Sequence, residues 1–495
     1  MQQRYFEDAV ATYVSMVDVQ LALADPVAAL EFAERAKGRV LWDLLRGSGA
    51  AAARGMTADE RAQEAALRKR IAELSAQATR AARLESGGPA AERLRAELAV
   101  ARRAGEDFET RLFAARPELK VNRGRAPDFA AAELGALIPD TGTALVEYVV
   151  AEGAAHVLVA TRGAGQAPVV KAYDLGIDRA QVRALVRDLR ERIERRDLGV
   201  RRTARDVHER LLGPAREQLR GRSQIVFVPD DALWDLPFQA LVTPSGRYLI
   251  EECALSSVPS LTVLREVRSR HRGPAAAGGG ALLALGNPEL GGGALPPEVS
   301  ALRSAELVAL PEAEREVRTL GRLYGAASST VLVGAAARED VLKSVAGRFR
   351  VVHLATHGVL DAAAPLRSHV LLTPGTADED GMLEAEEIME MSLHADLVVL
   401  SACESGRGRI AGGEGLIGLS WALFVAGTPT SVVSQWKVDS ASTSAFMVAL
   451  HRKLRGPSSG TKADALRAAS RALLANPAYR HPFYWAGFVM MGDAS

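Results

Sequence analysis

The feature that most limits what this chain can fold into is the alternation of short apolar runs with amphipathic stretches from residue 281 onward. "ALLALGN", "STVLVG", "FRVVHLATHG", "ADLVVLSACES" and "PTSVVSQW" are continuous and short, so they read as strands covered on both faces. "EAEREVRTLGRLYG", "AREDVLKSVA", "EAEEIMEMSL", "GEGLIGLSWALFVAG" and "SASTSAFMVALHRKL" fall between or after them and read as helices. Such crossovers predict an α/β fold with a mainly parallel sheet flanked by helices. Ligands of such sheets bind at the carboxyl ends of the strands.

Upstream the texture changes. "ALVEYVV", "HVLVAT" and "VVKAYDL" are β-branched runs separated by turns, followed by a helical stretch over 178–220 and the strand "SQIVFVP". In "PDDALWDLPFQAL", Trp234, Leu236 and Phe238 alternate in the manner of a half-buried hairpin strand, with Asp230, Asp231 and Asp235 as turn and cap residues. "GPAAAGGG" at 273–280 reads as an internal linker.

The N-terminal region reads as all-helical. Residues 4–23 carry apolar positions at helical spacing, and a second helix starts with Asp25 as N-cap and Pro26 as its first residue. Ala29, Leu30, Ala33 and Ala36 resemble the end of a tetratricopeptide repeat. A single such unit cannot bury its own face, so it packs elsewhere in the chain or against an upstream array. Residues 57–116 read as two longer helices, with a capping box at Thr57 and Glu60 and a break at "SGGP", as in an antiparallel coiled-coil hairpin. That hairpin suits a spacer arm or a docking arm. The expected division is a helical hairpin over 1–55, a coiled-coil hairpin over 56–125, and α/β portions over 126–272 and 273–495.

With 61 basic against 60 acidic residues, the chain has no electrostatic footprint for nucleic acid or an anionic membrane. Two cysteines, Cys253 and Cys403, are too few for a disulfide framework. Together with a start lacking a signal-peptide core and the absence of any apolar run of about 18 residues, this leads to the expectation of a cytoplasmic protein. There is no G-x-S-x-G elbow, phosphate-binding loop or H-E-x-x-H helix, so no motif requires a cofactor or a metal.

His357 and Cys403 fall at the ends of two strands joined by a crossover, each followed within three positions by a glycine, Gly358 and Gly406. A thiolate is a nucleophile, and a nearby imidazole lowers its pKa and later protonates a leaving amine. The glycines let a peptide backbone come close, and N–H groups around Gly358 and Cys403 suit an oxyanion. The 46-residue separation is close to the roughly 50-residue spacing of caspases. His353 is a rival base, but lies mid-strand. Cys253 reads as a strand residue without a chemical role.

"VVHLATHG", "LVVLSACESGRGRIAGGEGLIGLSWALFVAG", "SVVSQWKVD" and "HPFYWAGFVMMGD", in this order, resemble a CHAT domain, the caspase-like peptidase module that commonly follows tetratricopeptide repeats in bacteria. The resemblance covers about residues 130–492. It implies a caspase-like fold in which 126–272 is a pseudo-protease-like part and 273–495 the catalytic part. It also implies His357 as general base, Cys403 as nucleophile, and Gly358 and Cys403 as backbone oxyanion donors. Ser434, Gln435 and Trp436 become substrate contacts along a strand-addition cleft.

"ACESG" also resembles legumain, so Glu404 is either a ligand of backbone N–H groups or part of the first specificity pocket. Glu404 and Asp361 suit a basic substrate side chain and ordinary turns equally. Trp436 and Trp485 suit packing, and Asp439 suits the cap of a helix at 440.

The implied function is a cysteine endopeptidase acting on a specific protein or peptide, by analogy a gasdermin-like pore former or another bacterial defence protein. Control would come from the helical N-terminus or from an activator bound to it. The alternative is a caspase-like scaffold or signalling adaptor without catalysis. A hydrolase of small amides is disfavoured, because a strand-addition cleft suits an extended peptide.

Overall fold

The computed structural model describes residues 2–37 and 41, scattered positions between 57 and 111, and residues 129–270, 280–290, 309–359, 365–375, 379–402, 409–411, 415–456 and 460–495. Two compact units emerge, Met1–Trp42 with Pro127–Ser495, and Asp43–Ala126.

In the smaller unit Thr57 N–H donates to Glu60 at 2.6 Å and Glu60 N–H donates to the Thr57 hydroxyl at 3.2 Å, the reciprocal pair expected of a capping box. Leu74 and Ala101 are buried together, with Leu94 packed against them. Residues on either side of "SGGP" therefore touch. Arg70 and Glu97 also meet across the break at 3.3 Å, and the remaining described positions there are scattered.

The larger unit begins with helices α1 (Gln2–Ala22) and α2 (Pro26–Ala36), and the Asp25 carboxylate caps α2 by accepting from Ala28 N–H at 3.0 Å. Then come β1 (Thr143–Val150), β2 (Ala155–Arg162), β3 (Pro168–Asp174), α3 (Arg179–Glu194), α4 (Val200–Leu211), β4 (Gln224–Val228), β5 (Ala254–Ser257) and α5 (Leu261–Arg270). Beyond 280 the order is β6 (Leu282–Pro288), α6 (Pro311–Tyr324), β7 (Ser329–Gly334), α7 (Glu339–Val345), β8 (Val351–Ala355), β9 (Gly358–Val359), β10 (His369–Leu371), β11 (Met382–Glu384), α8 (Ala385–Glu390) and β12 (Leu397–Leu400). The chain continues through β13 (Arg409–Ala411), β14 (Gly415–Ile417), α9 (Leu419–Val425), β15 (Thr430–Ser434), α10 (Ser440–Leu454), α11 (Lys462–Ala475) and β16 (Phe488–Gly492).

Eleven strands form one sheet in the order β3-β2-β1-β4-β5-β16-β15-β12-β8-β6-β7. It is mainly parallel. β1–β2, β2–β3 and β15–β16 are its antiparallel pairs. One sheet takes strands from both expected α/β portions; residues 273–279 of the expected linker lie outside the described residues.

β1 shows why the sheet takes helices on both faces. All eight of its residues are buried. Ala144, Val146, Tyr148 and Val150 pack with Val182, Val186 and Leu189 of α3, whereas Leu145 and Val149 pack with Val17, Ala29, Leu30 and Ala33 of the N-terminal hairpin. The hairpin face that carries Val17, Ala29, Leu30 and Ala33 is thus covered by the sheet. Three ionisable groups are buried at the same contact. Lys37 Nζ donates to the Tyr148 carbonyl and sits 3.1 Å from Glu147, and Glu34 accepts from Leu261 N–H at 2.7 Å and Thr262 N–H at 2.8 Å, capping α5.

Two local expectations fail. Residues 231–240 form 3-10 turns rather than a strand, because Asp230 takes the Asp231 N–H at 2.9 Å and Pro237 has no N–H to give a ladder. Trp234, Leu236 and Phe238 are all buried instead of alternating. The helix expected from Gly413 begins only at Leu419; before it β13 and β14 pair Ile410 with Leu416. Gly412, Gly413 and Gly415 weaken any helix there.

Candidate active site

β8 and β12 are parallel neighbours in a register that pairs Leu354 with Leu400, and Ser401 N–H extends the ladder by donating to the Leu354 carbonyl at 2.8 Å. His357 lies three residues beyond Leu354 and Cys403 three beyond Leu400. The two chains therefore leave the sheet side by side at its carboxyl edge. Cys403, Glu404, Gly406 and Asp361 lie outside the described residues.

His357 is half-buried. Its carbonyl accepts from Leu371 N–H at 2.9 Å, and the Thr356 hydroxyl donates to the Leu371 carbonyl. Gly358 pairs with Val370 between these contacts. In an antiparallel ladder that makes Gly358–Val370 a non-hydrogen-bonded pair, so the Gly358 N–H turns away from β10.

The residues expected to contact substrate sit differently. Ser434, Gln435 and Trp436 are buried. Ser434 Oγ donates to the carbonyl of Ala402, Gln435 Nε2 to that of Trp234 at 3.0 Å, and Trp436 Nε1 to that of Phe483 at 3.1 Å. Gln435 N–H bonds Gly487 O at 2.8 Å, and Arg190 donates to Gln435 O at 3.0 Å. β15 lies between β12 and β16, so it offers no free edge for an added strand. This corrects the expectation that these three side chains line the cleft. Trp485 is packing, as expected, and Asp439 caps α10 by accepting from Ser442 N–H at 2.9 Å.

His353 is fully buried away from the strand end, within a polar chain that the sequence did not reveal. Its Nε2 lies 2.7 Å from Glu316 and its Nδ1 3.1 Å from His451 Nε2, while His451 Nδ1 lies 3.1 Å from the Tyr324 hydroxyl. Burial, reinforced by His353, holds His451 well below the usual histidine range. A neutral His451 thus shares one hydrogen bond with the His353 ring and one with the Tyr324 hydroxyl. Strand β8 is thereby bonded to α6 and α10 immediately before His357.

Beside the small sheet β9–β11, Lys343 is surrounded by Glu339 and Glu387, each at 2.8 Å, and Glu379. Glu339 also accepts from Gly381 N–H at 2.8 Å. Burial pushes Glu339 up to about 7, against the opposing bond from Lys343. Among the described residues this is the one carboxylate group close enough to share a cation, and the ammonium of Lys343 takes that place. Cys253 follows a short helical turn, buried, its thiol pushed up to about 12 by burial. Among the described residues no helix is long and apolar enough to cross a membrane.

The CHAT domain is matched over residues 201–493, more than half of the chain. The chain belongs to the CHAT domain family. The mainly parallel, helix-flanked sheet is the fold class expected of it. Tetratricopeptide repeat protein 28 of Mus musculus and that of Homo sapiens are each 27% identical over 314 residues, covering 54% of this CHAT protein and 12% of their own length. The chain thus spans about an eighth of those relatives.

Among solved structures, the Saccharomyces cerevisiae separase–securin complex is 10% identical with a TM-score of 0.45, over 73% of this chain and 30% of that one. The Arg-specific cysteine proteinase gingipain R of Porphyromonas gingivalis is 13% identical with a TM-score of 0.40, over 59% of this chain and 67% of its own.

Proposed function

We propose that this CHAT protein is a cysteine endopeptidase working through a Cys403/His357 dyad. Cys403 attacks the scissile carbonyl, His357 takes the thiol proton and gives it to the leaving amine, and water then releases the acyl-enzyme. The observation that supports the reading is the β8–β12 register, in which Leu354 and Leu400 are paired and His357 and Cys403 each follow three residues later in the sequence. The outward Gly358 N–H supports it as an oxyanion donor. The substrate in this reading is a specific protein, in the setting of bacterial defence, with Glu404 at the first specificity pocket. Control comes from the helical N-terminus or an activator docked on it.

The test measures the alkylation rate of Cys403 against pH by mass spectrometry, in wild type and His357→Ala. Cys253 is the internal control, since burial keeps it unreactive. The expected result is a Cys403 reactive well below the free-thiol value of about 8.5 and a profile that moves upward in the variant. An ordinary thiol profile in both proteins sinks the dyad and favours a binding scaffold.

A further inference from the structure

We propose that the cavity between the N-terminal hairpin and the carboxyl ends of β1 and β4 binds a small molecule with a carboxylate head and a short aliphatic body, and that this ligand fastens the hairpin to the sheet. The cavity measures about 410 Å³, within the range of small-molecule sites. Its wall on the hairpin side is apolar, made by Val10, Val14, Ala33 and Ala36. Across from it stand Lys37, Arg179 and Arg183.

What these cations leave unused points to the ligand. Lys37 is 3% exposed and donates to Tyr148 O, with its ammonium 3.1 Å from a Glu147 carboxyl group that makes no hydrogen bond. Arg179 donates to Glu152 at 2.7 Å and to Val150 O at 3.1 Å, while its buried Nε makes no hydrogen bond and lies 3.7 Å from Asp231. Arg183 gives Nε and one terminal nitrogen to Asp231, both at 2.7 Å, leaving the other.

The lining carboxylates are already engaged. Asp230 accepts from Val150 N–H at 2.8 Å and Asp231 N–H at 2.9 Å, and Asp235 accepts from Arg190 at 2.7 Å. Asp231 is held at a φ of +47°, a conformation an aspartate rarely adopts and one that concentrates at binding sites. The lining holds three cations and three carboxylates, and its buried donor without an acceptor is Arg179 Nε. An oxyanion supplies acceptors, and the apolar wall selects an aliphatic body over a bare ion.

The site is remote from the dyad. Six strand steps separate β1 from β8, about 29 Å at the usual spacing, and the antiparallel β15–β16 pair puts the carboxyl ends of β1 and β4 on the opposite edge.

Calorimetric titration of the full chain with hexanoate, with acetate as the head-group control, tests the proposal. Expected are one site for hexanoate with a Kd of about a millimolar or tighter, weaker acetate binding, and slower hydrogen exchange across residues 10–36. Arg179→Gln weakens binding about tenfold or more. Ala33→Leu abolishes it by filling the cavity, which keeps the test sound if Arg179→Gln folds poorly. No saturable heat up to about 10 mM overturns the proposal, as does an affinity unchanged in Ala33→Leu. Acetate binding as tightly as hexanoate overturns the aliphatic part.

Discussion

β1, β4, β5 and β16 run one way through the sheet, and β15, β12, β8, β6 and β7 run the other. In the first set one face of β1 and β4 is covered by α1 and α2, with Lys37, Glu34 and Glu147 buried at that contact. In the second, the strands β8 and β12 end on a half-buried His357 and the approach to Cys403, beside a small sheet pinned by Lys343. The same kind of strand thus carries a buried charged joint in one set and leads to the candidate site in the other. Position in an α/β sheet provides the opportunity, and the covering elements decide its use.

The contrast breaks first if the accessible edge is chemically idle. His357→Ala is expected to lower turnover of a cleaved peptide by about 10³-fold, the contribution of a lost general base, measured as kcat/KM. Hydrogen exchange across residues 143–228 should not change. Turnover that survives the substitution removes the distinction between the edges.

The seam between the two strand sets comes next. Gly492 pairs with Thr430 at a φ of +97°, and a Cβ there would lie 2.2 Å from Pro429 O and 2.7 Å from the Phe424 ring. Gly492→Ala is expected to cost about 3 kcal/mol or more, from strain and overpacking together. Urea unfolding should show both sets lost in one shifted transition, since Val432 and Phe488 share a core with Val146 and Phe227. Two separate transitions would show that the halves are independent.

The enclosed joint carries a pH signature. Burial raises Glu147 from 4.5 to about 8, Lys37 opposes the rise and Glu34 adds to it. The folded state therefore holds a proton that the unfolded chain releases. Stability from this group is complete below about pH 4.5 and is lost as pH rises through about 8, at up to roughly 1.4 kcal/mol per pH unit. Glu147→Gln should flatten stability against pH between about 5 and 8, read from urea midpoints. An unaltered slope would mean that the joint does not bury the charge.

How much of this was legible in the sequence follows from the range of the interactions. Apolar runs and local caps report on neighbours a few residues away, so the strands around His357, the Asp25 and Asp439 caps and the Thr57–Glu60 box could be read directly. The strand expected at 234–238 failed because a proline and an aspartate side chain removed the ladder partners. Ser434, Gln435 and Trp436 were misplaced because a motif does not show that β16, over fifty residues later, covers the far side of β15. Glu316, His353 and His451 meet from two helices and a strand, 37 and 98 residues apart in the chain. No spacing rule links such positions.

That chain also supports the smallest test, a matched pair of tyrosines. Tyr324→Phe keeps the ring against His451, with centroids 5.7 Å apart, and keeps Arg455 stacked at 5.0 Å. What disappears is the hydroxyl bonded to His451 Nδ1, so a buried ring nitrogen loses its partner at a cost of about 1–2 kcal/mol. Tyr148→Phe in the other strand set removes one bond, 3.3 Å long, to the carbonyl of Leu211, the last residue of α4. Its expected cost is about 0.5 kcal/mol. If the four-residue chain acts as a unit, Tyr324→Phe combined with Glu316→Gln should depart from additivity by about 0.5 kcal/mol or more, although the two side chains do not touch. Equal costs for the two tyrosines, together with strict additivity, would reduce the chain behind His357 to a set of independent pairs and leave the two edges of the sheet supported alike.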